Sequence, residues 1–179
     1  EETPEEVIGF IDACRELLAP DLSTLTPQID IGCYAGKRRQ LPWYLLAVAL
    51  LARKGYTVML HGAHEPGSGR LYASKALPLL GLPPATDIPH AKSQLAQVGV
   101  TYLDLSHLLS PLNKLIKLRE FFGLRSCANT LARLLNPTLA KCCVQGVYHM
   151  HLDHKHCRVN EAFPEFDALC FRGDGGDPE

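Results

Sequence analysis

The sequence predicts an α/β fold, a mostly parallel sheet with helices on both faces. Three observations carry that expectation. Short apolar runs alternate with longer segments of helical character. Gly55, Gly81, Gly99 and Gly123 stand where such segments should stop. An apolar content of 46% in 179 residues is enough for one real core. Strands that alternate with helices imply right-handed crossovers, and therefore parallel pairing.

Each element has a local reason. Thr3 is an N-cap, Pro4 takes the first helical position and Glu6 completes a capping box, ahead of Val7, Ile8, Ile11, Cys14 and Leu18 on one face, with Pro20 as the stop. After a polar connection, Ile31 to Arg39 reads as a loop. Trp43 to Lys54, apolar almost all round, reads as a buried helix. Thr57 to Leu60 is a short buried strand ending in His61-Gly62, and the Gly67-Ser68-Gly69 turn leads to a helix from about Arg70 to Gly81. Next come a helix near Ala91 to Val98, a strand from Val100 to Leu105, a helix from Pro111 to Phe122 and another from Ser126 to Asn136. A strand from Cys143 to Tyr148, a helix near Asp153 to Glu161 and a strand from Ala168 to Phe171 complete the series. With no opening methionine and a helix that forms at once, the chain is expected to be a fragment of something longer.

No stretch reaches the ~18–20 uninterrupted apolar residues that cross a bilayer; the longest candidate is Leu41 to Ala52. No charged-then-apolar leader opens the chain. The seven cysteines are odd in number and show no CxxC spacing, which suits reduced thiols. The expectation is a soluble, cytoplasmic protein with no membrane partner.

The net charge of −1 averages three unlike sections. Residues 1–29 hold seven acids and one base, residues 30–140 thirteen bases and five acids, and residues 141–179 four bases and seven acids. A surplus of eight positive charges over one contiguous section favours a phosphate-bearing ligand or nucleic acid. Any single Lys or Arg is more often part of a solvated face.

Within that section, Gly36-Lys37-Arg38-Arg39 ahead of a helix is a candidate anion cradle, although it matches neither GxxxxGK[ST] nor GxGxxG. His61-Gly62-Ala63-His64 with Ser68, Gly69 and Arg70 lies where ligands sit in parallel sheets, just past a strand. The loop Arg172-Gly173-Asp174-Gly175-Gly176 lies similarly past the last strand. Arg119, Arg125 and Arg133 are candidates to converge on a carboxylate or phosphate; the plainer reading is a surface ion pair, with Glu120 as partner. His149, His151, His154, His156 and Cys157 lack the spacing of a zinc site and read as a histidine-rich surface loop. No metal ligand and no catalytic residue is assigned.

Four stretches, in order along nearly the whole chain, resemble the anthranilate phosphoribosyltransferases, that is, glycosyltransferase family 3 with the nucleoside phosphorylase type II fold. They are Thr3 to Phe10; Val58-Met59-Leu60-His61-Gly62, at the place of KHGN; Leu118 to Ser126 with Asn129 and Asn136-Pro137, similar to VRKELGIRT, N and NP; and Gln145-Gly146-Val147-Tyr148, similar to LGVY. The resemblance implies that residues 1–22 are part of a small N-terminal helical domain and 23–179 an incomplete α/β domain, and it places His61, Gly62 and Arg119 at family ligand contacts. Where the family holds diphosphate with GTGGD and NxST, this chain has Gly32-Cys33-Tyr34-Ala35-Gly36-Lys37 and Gln40-Leu41-Pro42-Trp43. The asparagine of HGN is Ala63, the Gly-Pro pair is Ala132-Arg133, and the acidic metal-binding pair falls on Pro178-Glu179.

The strings Tyr34 to Trp43, Gly69 to Tyr72 and Asn129 to Pro137 are similar to the YbiB-like branch of the family. That resemblance implies a homodimer that binds nucleic acid, single-stranded DNA or RNA, without sequence preference and with no cofactor. Lys37, Arg38, Arg39, Arg70, Arg119, Arg125 and Arg133 would then meet phosphates, with Tyr34 or Trp43 stacking a base. Two alternatives stand beside it: a transferase using phosphoribosyl pyrophosphate and magnesium on an altered acceptor, and an inactive relative acting as an interaction module.

Overall fold

The structure, a computed structural model, describes residues 2–65, 68–173 and 177. Helix α1 (Pro4–Glu16) begins as its cap chemistry dictates: the Glu6 amide donates to the Thr3 hydroxyl at 3.2 Å, and the Thr3 amide donates to the Glu6 carboxylate at 2.8 Å. The helix ends four residues before Pro20, which opens a short 3-10 turn (Pro20–Thr24) instead. Then follow β1 (Ile29–Gly32), α2 (Tyr44–Arg53), β2 (Val58–Gly62), α3 (Ala73–Ala76), α4 (Ile88–Val98) and β3 (Val100–Asp104). The remainder is α5 (Leu105–Leu108), α6 (Ser110–Lys117), α7 (Arg119–Phe122), α8 (Ala128–Leu134), β4 (Cys142–Val147), α9 (Leu152–Asn160) and β5 (Asp167–Arg172).

The five strands form one sheet in the order β3-β2-β1-β4-β5, every neighbouring pair parallel. The predicted α/β class is the observed one. Strand alternation gives the sheet two covered faces. Ile29, Ile31, Val58, Leu60, Val100 and Tyr102 pack with Tyr44, Leu45 and Val48 of α2 and with Leu77. On the other face Met59, Leu103 and Cys143 join the side chains of α1, α5, α6, α8 and α9, including Ile11, Leu112, Leu131 and Val159.

The central strand β1 is the element the sequence reading missed, having assigned Ile31 to Arg39 to a loop. A four-residue strand containing Asp30 and ending in Gly32 shows too little apolar pattern to stand out, and its extended form is imposed by two flanking partners. Helix α2 differs too: Tyr44, Leu45 and Val48 are buried, whereas Leu46 and Leu50 are exposed, so it covers the sheet with one side only. The single helix expected from Pro111 to Phe122 is α6 and α7, and the one expected from Arg70 to Gly81 is α3 followed by a 3-10 turn. Gly81, Gly99 and Gly123 end their helices in the left-handed region, as their positions predicted.

All seven cysteines are free thiols, and no helix among the described residues is long and apolar enough to cross a membrane. Gly67 and residues 174–176 of the two candidate site loops, and Pro178-Glu179, lie outside the described residues.

His156 corrects the surface-loop reading of the histidine cluster. It is fully buried, and its Nδ1 meets Gln145 Oε1 at 2.9 Å, joining α9 to β4. The other three histidines are exposed, and no three metal-ligating side chains converge among the described residues. Burial, with Arg133 adding repulsion, lowers the His156 pKa to about 4. Folding therefore favours the neutral ring, and its stabilisation is full above the unfolded value of about 6.5 and lost as pH falls toward about 4. Urea unfolding at pH 7 and pH 4.5 should show a loss from this residue on the order of 2–3 kcal/mol. The variant His156→Phe should lack that component; equal pH slopes for the two proteins would refute the assignment.

Candidate anion-binding cleft

The carboxyl ends of β1, β2 and β4 open on one cleft of about 640 Å³, and all seven predicted cationic residues line it. Lys37, Arg38 and Arg39 follow β1, Arg70 follows β2, Arg119 belongs to α7, Arg125 precedes α8 and Arg133 lies within it. Chain order reverses between β1 and β4, the place where open parallel sheets present a crevice.

The turn after β1 is built from both sides. The amides of Ala35 and Gly36 donate to the two carboxylate oxygens of Asp177, each at 2.8 Å, and Lys37 Nζ donates to the Asp177 carbonyl at 3.2 Å. Gly36 makes the turn at φ 63°, where a side chain is strained and where Arg70 and Tyr72 leave a Cβ only 3.1 Å. Arg70 Nη1 donates to the carbonyls of Ala35 and Gly36 at 3.2 Å, and Lys37 and Leu71 exchange backbone hydrogen bonds at 2.8 and 2.9 Å. Two successive amides facing a carboxylate form an anion nest, and this one holds an anion from the chain itself.

The seven residues do not play equal parts. Arg38 and Arg39 are exposed at the mouth. Lys37, expected on the surface, is 3% exposed and belongs to the wall. Arg119 and Arg125 converge on a carboxylate as the sequence allowed, but it is Glu65, not Glu120: Arg119 donates directly, Arg125 Nη2 stands at 3.5 Å, and the Tyr72 hydroxyl donates at 3.0 Å. Arg133 is buried at the floor, where desolvation lowers its pKa and the nearby Asp177 opposes that shift.

His61 and Gly62 do not face the cleft. His61 is fully buried, its Nδ1 2.6 Å from the Tyr34 hydroxyl and its Nε2 3.1 Å from Asp30 Oδ1. Burial holds the Tyr34 phenol well above its ordinary pKa, so it stays protonated and its O–H donates a hydrogen bond to His61. A Cβ on Gly62 would sit 2.3 Å from the Cys33 carbonyl, so this glycine admits the neighbouring strand rather than a ligand. Tyr34, expected to stack a base, is 1% exposed and cannot; Trp43 is exposed but does not line the cleft.

Sequence reasoning did not connect Asp177, Glu65, Tyr148 or His149 with this cleft, and read His149 as part of a histidine-rich surface loop. Asp177 and Glu65 lie 141 and 54 residues from Gly36 and Arg119, partners that no local pattern connects. Tyr148 and His149 follow β4 and line the cleft, a position that the strand-end rule could have flagged.

An open parallel sheet with a cationic crevice at its switch point defines the class. No protein-family model matches the chain. Its relatives are anthranilate phosphoribosyltransferases and YbiB-like proteins. It is 29% identical over 135 residues to the uncharacterized protein YbiB of Escherichia coli K12, an alignment spanning 74% of this chain and 42% of that protein. It is 27% identical over 149 residues to an anthranilate phosphoribosyltransferase of Bacteroides thetaiotaomicron, spanning 83% and 45%. Among solved structures, the anthranilate phosphoribosyltransferase of Thermus thermophilus superposes with a TM-score of 0.80 at 23% identity, covering 100% of this chain and 54% of that one. The Saccharomyces cerevisiae enzyme in complex with PRPP and Mg gives 0.71 at 16%, covering 98% and 50%. The chain thus spans about half the length of the relatives it matches, and its fold is theirs.

Asp177→Asn should leave one of the two amides facing a donor and remove the carboxylate beside Arg133. A buried, unsatisfied N–H costs about 1–3 kcal/mol. At roughly 2–4 °C per kcal/mol for a domain of this size, calorimetry should show a clearly lowered melting temperature; an unchanged melt would show that the contact is incidental.

Proposed function

We propose that this cleft binds single-stranded nucleic acid through its phosphates, with little regard for sequence. One observation carries the reading: seven cationic residues from separate segments converge on a single cleft. Of their charges, Glu65 offsets that of Arg119 and Arg125 in part, and Asp177 that of Arg133. The charges of Arg38 and Arg39 at the mouth remain, and cations drawn from separate segments suit a chain of phosphates better than one. The YbiB-like resemblance and the basic surplus of residues 30–140 support the same reading.

A second reading comes from similarity to the anthranilate phosphoribosyltransferases: transfer from phosphoribosyl pyrophosphate with magnesium. Three features weigh against it. Tyr34 seals His61 inside the protein, the amides of Ala35 and Gly36 already hold Asp177, and the family's diphosphate loop is rewritten in this chain. Magnesium fits poorly with a carboxylate that accepts two amide hydrogen bonds. The bound form under the first reading needs no cofactor, and a homodimer would place two such clefts on one particle.

Fluorescence polarisation of a labelled single strand at low salt should show binding by the full-length protein. The double variant Arg38→Glu/Arg39→Glu should weaken it about tenfold or more, with the circular dichroism spectrum unchanged because both side chains are exposed. No binding by the wild type, or saturable magnesium-dependent binding of phosphoribosyl pyrophosphate instead, would replace this reading with the second.

A further inference from the structure

We infer that the floor of the cleft is a built subsite for one nucleobase, in which Asn129 pairs with the hydrogen-bonding edge of the base beside Tyr148. The inference rests on the nucleic-acid reading above and adds to it a place where the strand is recognised by more than its charge.

Asn129 and Arg133 lie one helical turn apart on α8, both lining the cleft and both more than nine-tenths buried, at 6% and 7% exposure. Neither Oδ1 nor Nδ2 of Asn129 has a hydrogen-bond partner among the described residues, and neither has Nε of Arg133. Buried polar groups in folded proteins are nearly always paired, so three unpaired atoms on one short face mark a place where something else supplies the partners.

The pattern of those atoms selects the partner. Phosphate offers only acceptors: it would satisfy Nδ2 and the arginine but set acceptor against acceptor at Oδ1. A cation would satisfy Oδ1 and be repelled by Arg133. A heterocyclic edge with a donor beside an acceptor satisfies both ends of the amide at once, as asparagine does with adenine. Because the carboxamide turns about its terminal torsion, it accepts either order of donor and acceptor, so the subsite tolerates different bases. Tyr148, 52% exposed at the end of β4 and on the same cleft, supplies an aromatic surface on which any base stacks. Arg133 is left to meet the adjoining phosphate or a second acceptor.

The test uses full-length protein and three probes of equal length: a thymine strand, a strand of apolar shape mimics of thymine that stack without hydrogen bonding, and inorganic polyphosphate. Wild type should prefer the thymine strand to the mimic strand by about tenfold, the effect of two hydrogen bonds. Asn129→Leu should erase that preference, and the ratio of thymine-strand to polyphosphate affinity should fall with it. Equal affinity for the thymine and mimic strands in the wild type, or an undiminished preference in a folded Asn129→Leu, would overturn the subsite and leave the phosphate-binding reading standing. Failure of the wild type to bind any strand would instead overturn the reading beneath it. The wild-type comparison of the two strands decides the question even if the variant does not fold.

Discussion

The turn that leaves β1 imposes the constraint from which the rest of the site follows. Its amides emerge at the carboxyl end of the central strand, with neighbouring strands on both sides, where an unpaired N–H is costly. Asp177 satisfies two of them, Arg70 satisfies the carbonyls of Ala35 and Gly36, and Leu71 ties down the backbone of Lys37. Once the turn is fixed, Arg38 and Arg39 have a defined place at the mouth, and Tyr34 is pushed inward onto His61. The same interaction thus builds the basic rim and closes the interior behind it.

That arrangement also explains how so many cations tolerate one another. Like charges confined in a crevice repel, and isolated surface pairs return little. Here the innermost charges have carboxylates near them: Glu65 stands among Arg119, Arg125 and the Tyr72 hydroxyl, and Asp177 stands near Arg133 and the Lys37 wall. The outer ones, Arg38 and Arg39, are hydrated. A ligand that runs along the cleft meets neutralised, ordered arginines below and solvated ones above. This division suits a polyanion whose phosphates release counterions as they bind.

Much of the scaffold was legible in the sequence because it is written locally. The Thr3–Glu6 capping box, the glycine stops at Gly81, Gly99 and Gly123, and the apolar core of β2 and β3 each depend on residues a few positions apart. What escaped notice depends on distant partners. β1 is a strand because β2 and β4 flank it, not because Ile29–Gly32 has strand periodicity. Tyr34 looked like an exposed aromatic next to a basic run, yet its hydroxyl finds a histidine 27 residues away. His156 looked like one of a surface set, and only the packing of α9 on β4 buries it. Charge was the reverse case: the surplus of residues 30–140 drew attention to side chains that line one cleft, while their convergence and their carboxylate partners needed the fold.

The central claim, that this cleft meets a polyanion through several phosphates at once, is tested most directly by the salt dependence of single-strand binding. Each phosphate neutralised on a single strand contributes about −0.7 to the slope of log K against log salt. Four to seven contacts in the cleft therefore predict a slope of about −3 to −5 for the full-length protein. A slope near zero, with affinity indifferent to salt, would contradict the account.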